Sequence, residues 1–475
     1  MKRIFAAALA VFLCLSILTA CGGNSGGSGS TGDGSSSGSN GGSNGGSNGE
    51  TSSGPVELVF WHNRGGSAGE TLDKIVADFN ENAGAAAGIH ITAVYQNDTV
   101  STLKTLVQAK DTANYPDMIQ IFAGDVEYMS TVDAVVPLDD LMDGDSEFDA
   151  EVLSSLLNTY TYNGTLYSMP FHASTMGFFW NKTLFAEAGL DPETPPATIA
   201  EMAQMAEKLL KKDASGKITQ YAITLGMGNV YFNHWISGQG KYSFIGNNEG
   251  GHAGRMTEVT FDKDGTMKKL LTEWKKVLDT GAVQTAESGN QARDEFSSGL
   301  SAMVCSSNSA LGQFTTMSKE MGFDFGVAPL PKVDAGDTGG VCPGGSSIYI
   351  LGKGDDAKIQ AAWSFIKFWL EPEQQYAYCS VTGTIPVNAK TFDYAPMQEY
   401  AAANPGFEMF YDALCNSNPK VQEHLAPTQQ EFTTIFQEVC GKFAAGEVDV
   451  DGAVSEMASR CNAALDEYNE ANPIV

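Results

Sequence analysis

The chain has 475 residues, of which 57 are Asp or Glu and 28 are Lys or Arg, and its formal net charge is −29 at pH 7. Charged residues make up only 18% of the chain, so this charge reflects a shortage of bases. Such a surface repels phosphate backbones and acidic lipid, which argues against nucleic-acid binding. A hydrophobic fraction of 42% argues against global disorder, and the length predicts two to four domains at ~100–200 residues each.

The first twenty residues have the composition of a secretory signal. Lys2 and Arg3 precede an apolar run over residues 4–18, which is short for a membrane span. The run ends in Leu18–Cys21, which resembles a bacterial lipobox. That resemblance implies cleavage before Cys21 and a diacylglyceryl group on its sulfur. An ordinary secreted protein with an incidental cysteine is the alternative.

A Gly/Ser-rich segment follows Cys21 and extends to residue 54. Of the 33 residues 22–54, 14 are Gly and 11 are Ser, a composition that behaves as a flexible coil and forms no core. At ~5–6 Å × √n its r.m.s. reach is roughly 30 Å. No later run approaches ~18 consecutive apolar residues, so the sequence predicts a chain that is tethered to a membrane without spanning it.

Strands and helices alternate after the tether. Val56–Trp61, Ile89–Tyr95 and Met118–Phe122 have the pattern of strands, and apolar residues at helical spacing lie between them. This order predicts an α/β fold with a parallel, doubly wound sheet, in which ligands bind beyond the carboxyl ends of the strands. The loops at those ends are His62–Gly66, Gln96–Thr99 and Ala123–Asp125.

Turn and helix signals continue through the rest of the chain. Asn163-Gly164 predicts a β-hairpin, and Pro195-Pro196 predicts the first turn of a helix. Ala302–Cys305 and Ile348–Leu351 are predicted to be strands. The chain from Met397 to its end is predicted to be mostly helical.

One motif raises the possibility of catalysis. Gly65–Gly69 matches the G-x-S-x-G pattern of a nucleophile elbow, with Ser67 as the candidate nucleophile of a secreted serine hydrolase. The same pattern occurs at Gly41–Gly45 inside the Gly/Ser segment, so it has little specificity. A glycine-rich turn at a helix start is the preferred interpretation, and no enzyme activity is predicted.

Metal sites and disulfides find little support in the sequence. Asp143–Glu147 lacks the spaced glutamate of an EF-hand, Asp262–Gly265 is interpreted as a turn, and Asp449–Gly452 as a helix N-cap. The six histidines have no paired spacing, so no metal or other cofactor is predicted. Six cysteines of the body permit 15 disulfide pairings and can equally be free thiols: Cys305, Cys342, Cys379, Cys415, Cys440 and Cys461.

Aromatic residues near loop boundaries carry a more useful signal. Sugars present apolar C–H faces and hydroxyl edges, so a sugar site pairs flat aromatic rings with amide, hydroxyl and carboxylate groups. The aromatic candidates are Trp61, Tyr95, Phe122, Phe171, Tyr231 and Trp235. The polar candidates near them are His62, Asp98, Asp125 and His172.

Seven short motifs give the chain a family resemblance. They are Phe60–His62, Met169–Thr175, Trp180–Lys182, Ala188–Pro196, Ala302-Met303, Gly344–Ser346 and Thr382–Pro386. With them, the chain from about residue 55 to 470 resembles the extracellular solute-binding proteins of bacterial ABC importers. It resembles the large carbohydrate-binding family of these proteins, and most of all its members that bind glycerol 3-phosphate. The stretch Pro170–Pro196 is the most specific part of the match.

The resemblance implies a periplasmic-binding-protein-like (type II) fold, with two discontinuous α/β lobes and a ligand cleft between them. We place one lobe at 55–170 plus 305–380 and the other at 171–304 plus 381–475. The lobes are expected to close on a small carbohydrate ligand without bond-making chemistry. An ABC permease with its cytoplasmic ATPase is expected to recognise the closed form. The protein is expected to be a monomer on the extracellular face of the cytoplasmic membrane.

The resemblance also assigns ligand contacts and bears on the ligand itself. The phosphate binders carry two tyrosines, a glutamate and an arginine. This chain has Thr99 and Thr384 in place of the tyrosines, whereas the glutamate falls near Ala123 and the arginine near Gln422, with only Lys420 close by. A phosphate dianion is best held by an arginine or a helix N-terminus, so a neutral sugar or oligosaccharide is preferred over glycerol 3-phosphate or a glycerophosphodiester. A surface adhesion protein without a cleft is a further alternative. The predicted ligand contacts are Trp61, His62, Asp98, Thr99, Phe122, Asp125, His172, Ser174, Tyr231, Trp235, Ser307, Asn308, Gly344, Gly345, Ser346 and Thr384.

Overall fold

Residues 54–473 are described by the computed structural model, so the predicted signal, Cys21 and the tether lie outside the described residues. The strands are β1 (Val56–His62), β2 (Ile89–Tyr95), β3 (Met118–Phe122), β4 (Thr161–Tyr162), β5 (Thr165–Leu166), β6 (Met169–Ser174), β7 (Met176–Asn181), β8 (Lys211–Lys212), β9 (Ile218–Thr224), β10 (Val283–Gln284), β11 (Ser301–Ser307), β12 (Phe325–Ala328) and β13 (Gly344–Ile350). The helices are α1 (Gly66–Glu81), α2 (Ala83–Ala87), α3 (Thr99–Ala109), α4 (Val126–Ser130), α5 (Asp139–Gly144), α6 (Ser154–Thr159), α7 (Lys182–Glu187), α8 (Ile199–Leu209), α9 (Asn229–Ser237), α10 (Asn247–Gly250), α11 (Thr266–Asp279), α12 (Gly289–Ser297), α13 (Leu311–Met321), α14 (Asp356–Trp369), α15 (Pro372–Thr382), α16 (Ala395–Ala403), α17 (Phe407–Cys415), α18 (Gln429–Ala444) and α19 (Val450–Ala471).

The first sheet has the strand order β2-β1-β3-β13-β6. β1 is parallel to β2 and β3, whereas β13 is antiparallel to both of its neighbours, β3 and β6. Helix α1 supplies the crossover that parallel neighbours require, and it buries Leu72, Ile75, Val76 and Phe79 against the sheet region. The predicted strands and their parallel, doubly wound arrangement are confirmed for the first three strands.

The second sheet has the strand order β10-β9-β11-β7-β12, with β8 paired to β9. β9 is parallel to β10 and β11, whereas β7 is antiparallel to β11 and β12. Phe178 and Phe179 on β7 point to opposite faces, as successive residues of a strand must. Phe178 belongs to the core formed with α8, α11, α18 and α19, and Phe179 packs against Phe314 and Phe410.

The chain passes three times between the two sheets. It crosses at Thr175 between β6 and β7 and again between β12 and β13. The third crossing lies between Ala389, whose N–H donates to the Glu151 carbonyl of the first lobe, and α18, which packs in the core of the second sheet. These crossings differ from the predicted lobe boundaries, which put residues 305–328 in the first lobe. β11 lies between β9 and β7, and β12 pairs with β7, so the chain returns to the first sheet only after residue 328.

Local turn and capping signals meet different outcomes. The hairpin prediction is confirmed, because β4 and β5 pair across Asn163 and Gly164, which both have positive φ. The helix predicted to open at Pro195-Pro196 begins later, at Ile199. Thr198 caps it, accepting a hydrogen bond from the Glu201 N–H at 3.1 Å, which is the first half of a capping box.

The acidic clusters and cysteines have structural explanations. The Asp145 carboxylate accepts hydrogen bonds from Lys367 and Trp363, chiefly from Lys367, and they lower its pKa to about 2. Asp449 caps α19, as predicted. All six cysteines of residues 54–473 are free thiols. Within the same range, no group of three or more His, Cys, Asp or Glu side chains could hold a metal ion, and no helix is long and apolar enough to cross a membrane.

Candidate ligand cleft

A cavity of about 340 Å³ lies between the two sheets, at the carboxyl end of β3 and beside the first two crossings. We call this cavity the cleft. Residues of the first sheet and its loops line one side, and residues of α9, α18 and the segment before α18 line the other. The lining residues are Phe122, Ala123, Gly124, Ser174, Thr175, Met176, Val230, His234, Cys342, Gly344, Gly345, Glu423 and Gln429.

Hydrogen bonds tie the first two crossings to the segment that follows α15, beside the cleft. The Asn308 carboxamide oxygen accepts hydrogen bonds from Ser174 Oγ and the Thr175 N–H, both at 2.9 Å. Its nitrogen donates to the Gly383 carbonyl at 2.6 Å, and Thr175 Oγ1 donates to the Cys342 carbonyl at 2.7 Å. Asn308 therefore uses most of its hydrogen-bonding capacity to hold these segments together. We call Asn308 and the segments it joins the hinge, and we regard Asn308 as a positioning residue.

Two polar side chains reach the cleft without a partner in the described part of the chain. The Glu423 carboxylate has no hydrogen bond or cation partner there, and burial raises its pKa to about 7. The Gln429 carboxamide likewise makes no hydrogen bond within residues 54–473. His234 is neutral, since burial lowers its pKa to about 3, and its Nδ1 accepts the Cys342 N–H at 3.1 Å. Glu423 and Gln429 are thus the groups that a ligand can satisfy.

An exposed aromatic ring lines the first-lobe side of the cleft, and an arginine that is not itself a lining residue lies against this ring. The Phe122 ring is 49% exposed, and the Arg64 guanidinium lies over it at 4.9 Å from the ring centroid. Arg64 donates only to neutral oxygens, Oε1 of Gln120 at 3.2 Å and Oδ1 of Asn63 at 3.0 Å. No carboxylate of residues 54–473 forms an ion pair with it, so its charge is available to solvent or ligand.

Four of the residues predicted from sequence come together in the cleft: Phe122, Ser174, Gly344 and Gly345. Tyr231 and Ser307 line a second cavity within the other lobe, and Tyr231 donates to the Cys305 carbonyl at 3.2 Å. Asn308 lies in the hinge, as described above. That these residues contact the ligand stays a prediction.

The remaining polar candidates are engaged by local contacts. The His62 ring accepts the Arg64 N–H at 3.2 Å, and Asp98 caps α3 by accepting the Ser101 N–H at 3.0 Å. Thr99 donates to the Gln120 carbonyl, Asp125 pairs with Lys104 at 3.4 Å, Ser346 accepts from the Gln120 side chain, and Thr384 bonds to Thr382. None of these six candidates is among the described residues that line the cleft.

Three large candidates are buried in the core. Trp61 packs in a small cluster beneath β3, and the Trp235 indole donates to the Pro331 carbonyl at 2.7 Å. His172 is 4% exposed and stacks on Tyr378, and burial lowers its pKa to about 3. Its two ring nitrogens have no hydrogen-bond partner among residues 54–473. Core packing therefore accounts for the pattern that suggested a sugar contact at these positions.

Ser67, the candidate nucleophile, is exposed in the first turn of α1. Within residues 54–473 its hydroxyl makes no hydrogen bond to a histidine; its carbonyl accepts the Thr71 hydroxyl at 2.8 Å. A nucleophile elbow needs a general base within hydrogen-bond reach, so the geometry favours the glycine-rich turn.

A second set of contacts joins the lobes away from the cleft. The Arg255 Nε of the second lobe donates to the Glu127 carboxylate of the first lobe at 2.6 Å, and both side chains are mostly buried. Nearby, the Asn163 N–H donates to the His252 carbonyl at 2.7 Å. We call the Glu127–Arg255 pair and the Asn163–His252 hydrogen bond the clasp.

We expect the clasp to stabilise the folded protein by holding the two lobes together. In a double-mutant cycle with Glu127→Ala and Arg255→Ala, the coupling should be about 1–2 kcal/mol, because both side chains are largely removed from water. Urea unfolding of the four proteins measures it. The exposed Glu438–Arg460 pair is the matched control and should show little coupling. Equal coupling in both pairs would contradict a special role for the clasp.

Two α/β lobes that are joined by crossing segments and enclose a cleft define a two-lobed, type II solute-binding protein. The chain belongs to the bacterial extracellular solute-binding protein family, whose sequence profile matches residues 74–405. Among curated relatives, the sn-glycerol-3-phosphate-binding periplasmic protein UgpB of Pectobacterium atrosepticum is 26% identical over 371 residues, which cover 76% of this chain and 80% of that protein.

Solved structures share the fold. The cyclic alpha-maltosyl-1,6-maltose binding protein from Arthrobacter globiformis matches with a TM-score of 0.70 and 22% identity, covering 87% of this chain and 100% of that one. UgpB from Mycobacterium tuberculosis, in complex with glycerophosphocholine, matches with a TM-score of 0.66 and 22% identity, covering 88% and 99%. The predicted family and type II fold are confirmed.

Proposed function

We propose that the protein is the lipid-anchored, extracellular substrate-binding component of an ABC importer. It captures a sugar or oligosaccharide by closing its lobes and delivers it to a membrane permease. The observation that carries this proposal is the cleft between the lobes, where the Glu423 carboxylate and the Gln429 carboxamide have no partner among residues 54–473. Membership of the solute-binding family supports the same function.

The chemistry of the cleft favours a polyhydroxylated ligand. Leaving a half-buried carboxylate or amide without a partner costs free energy, and a ligand that supplies hydrogen bonds recovers it. Hydroxyl groups can donate to Glu423 and both donate to and accept from Gln429. The half-exposed Phe122 ring offers a flat apolar surface for the C–H face of a sugar. A phosphate dianion placed beside Glu423 would be repelled.

Two features of the sequence support the proposed location and mode of action. The lipobox-like Leu18–Cys21 and the Gly/Ser-rich tether suit a domain held outside the cytoplasmic membrane. Binding alone suffices for delivery, so no catalytic activity is proposed. The protein is also proposed to act as a monomer.

A phosphate ester is the second candidate ligand, in the same transport role. Arg64, which lies over the cleft-lining Phe122 ring, has no acidic partner among residues 54–473 and can hold an anion. Curated relatives are named for binding glycerol 3-phosphate, and one structural neighbour is in complex with glycerophosphocholine.

Isothermal titration calorimetry combined with small-angle scattering tests the proposal. Neutral disaccharides and oligosaccharides should include one that binds and reduces the radius of gyration, because the ligand contacts both lobes. Phe122→Ala should weaken that binding about three- to tenfold through the loss of ring contacts, whereas Tyr242→Ala, at an exposed tyrosine that does not line the cleft, should not. Tight binding only of sn-glycerol 3-phosphate or glycerophosphocholine would establish the second candidate instead.

A further inference from the structure

A second cavity, of about 530 Å³, lies inside the second lobe and adjoins the cleft. Met176 and Val230 line both cavities, so the two spaces are neighbours along the same surface. Tyr231 and Trp274 form an apolar wall, and Arg293, Ser306 and Ser307 form a polar one. We call this space the second-lobe cavity. The site proposed for the sugar does not use it.

Among the described residues that line the second-lobe cavity, Arg293 is the only cation. It is half-buried, and its Nε donates to Ser306 Oγ at 2.8 Å, while Nη2 donates to Ser307 Oγ at 3.2 Å and Ser309 Oγ at 3.4 Å. Within residues 54–473, its Nη1 has no hydrogen-bond partner. A guanidinium has five N–H donors, so two of them remain for another group.

No carboxylate of residues 54–473 forms an ion pair with Arg293, although the charge of the exposed Asp294 acts on its guanidinium from a longer distance. By contrast, Arg255 and Arg460 each form an ion pair with a glutamate. This difference is notable because the chain has 57 acidic residues for 28 basic ones. A half-buried arginine without an acidic partner carries a desolvation cost that an anion would offset.

The acidic side chains nearest in sequence are directed to other partners. Glu295 accepts hydrogen bonds from Thr224 at 2.6 Å and from Gln291 at 2.9 Å, and Asp294 is exposed and accepts from Gln313 at 3.3 Å. Glu287 lies at the exposed rim of the cavity. The inner polar wall therefore has a positive charge and hydroxyl groups.

We propose that Arg293 recognises an anionic group and that the transported ligand is an anionic carbohydrate, with its carboxylate or phosphate in the second-lobe cavity. The proposal rests on the proposed transport function and narrows its substrate class. The hydroxylated part of the ligand occupies the cleft, where Glu423 excludes an anion. The anionic oxygens accept from Nη1 of Arg293, and Ser306 can add a hydroxyl donor because its oxygen only accepts from Nε.

Matched pairs of neutral and anionic probes test this proposal by calorimetry. Galactobiose against digalacturonate tests a carboxylate, and glucose against glucose 6-phosphate tests a phosphate on a sugar. At least one anionic probe should bind about tenfold or more tightly than its neutral partner, as charge-assisted hydrogen bonds predict. That advantage should shrink as ionic strength rises.

Arginine variants locate the anion. Arg293→Gln should remove the preference for the anionic probe and leave binding of the neutral partner within about threefold, and Arg293→Lys should restore part of the preference. Arg460→Gln changes the net charge equally and should leave the preference intact. Retained thermal unfolding temperatures show that the variants fold.

Other outcomes overturn the proposal. It is wrong if each neutral probe binds as tightly as its anionic partner, if Arg293→Gln weakens both members of a pair equally, or if Arg64→Gln removes the preference and Arg293→Gln does not. If neutral sugars still bind and compact the protein when one of these outcomes is found, the proposed transport function is retained and only the anionic ligand is rejected. Absence of binding and compaction with every probe would remove the transport function and this inference together.

Discussion

Gly345→Ala is expected to destabilise the protein by roughly 3 kcal/mol or more. Gly345 has a φ of +126°, in a region that residues with a side chain rarely adopt, and a Cβ there would lie 2.1 Å from the His172 carbonyl oxygen. That oxygen cannot move away easily, because the neighbouring Ala173 exchanges two backbone hydrogen bonds with Ile385, both at 2.8 Å. The conformational cost and the steric overlap each contribute about 1–3 kcal/mol.

The adjacent glycine provides a matched control. A Cβ at Gly344 would lie 3.6 Å from the Ser174 carbonyl oxygen and 3.7 Å from Glu423 Oε1, which are ordinary contact distances, and Gly344 has no positive φ. Gly344→Ala should therefore change the free energy of unfolding by less than about 1 kcal/mol, although the methyl group faces the cleft. Urea unfolding of both variants makes the comparison, and equal losses would show that the clash at Gly345 is relieved.

Much of the fold could be predicted because its signals are local. Val56–His62 and Ile89–Tyr95 alternate or run apolar as strands do, and Asn163-Gly164 supplies the positive φ of a tight hairpin. The lobe boundary near 305 could not be placed in this way. Whether β11 pairs with β7 or with a strand of the first sheet is decided by contacts between residues far apart in sequence.

The cleft was harder to predict, because composition does not tell a buried aromatic from an exposed one. Trp61 and Trp235 are buried in the core, whereas Phe122 at the end of a strand is half-exposed. Asp98 is a polar group near a loop and Asn308 is a contact that the family resemblance implies, and both cap or tie the backbone. Polar residues near loops serve such local contacts as readily as they serve ligands.

Glu423, Gln429 and Arg64 are absent from the residues predicted from sequence. The only sign of Glu423 is that it adjoins Gln422, the position matched to an arginine of the phosphate binders. Gln422 itself is turned away from the cleft, with its side chain bonded to Thr159, Ser155 and Pro419. The Glu423 carboxylate is therefore a better guide to the ligand than the absence of an arginine at Gln422.

Glu423→Gln should change both the pH dependence of stability and the binding of a hydroxylated ligand. Burial is the only cause of the raised pKa of Glu423, about 7 against 4.5 for the free side chain. Between these two pH values the folded protein holds a proton that the unfolded chain has released. The contribution of Glu423 to stability is therefore greatest below pH 4.5 and is lost as the pH rises toward 7.

The glutamine variant removes this titration. Relative to the natural protein, Glu423→Gln should be about equally stable at pH 4.5 and more stable at pH 8, by roughly 1–3 kcal/mol, since the side chain is partly accessible to water. The difference between the two proteins across this pH range, measured by urea unfolding, isolates Glu423 from other titrating groups. A difference that does not vary with pH would show that Glu423 ionises at its ordinary pKa in the folded state.

Glu423→Gln should also weaken the binding of a sugar that closes the lobes. At pH 8 the carboxylate of Glu423 is ionised and accepts hydrogen bonds from hydroxyl groups more strongly than a neutral amide does. The affinity for the sugar should therefore fall roughly 10- to 100-fold in the variant. Because the ligand favours the ionised form, its binding at pH 7 should release up to about half a proton. Calorimetry in buffers of different ionisation enthalpy measures this release. Proton uptake would mean instead that the protonated carboxyl donates to the ligand, and an unchanged affinity would place the sugar away from Glu423.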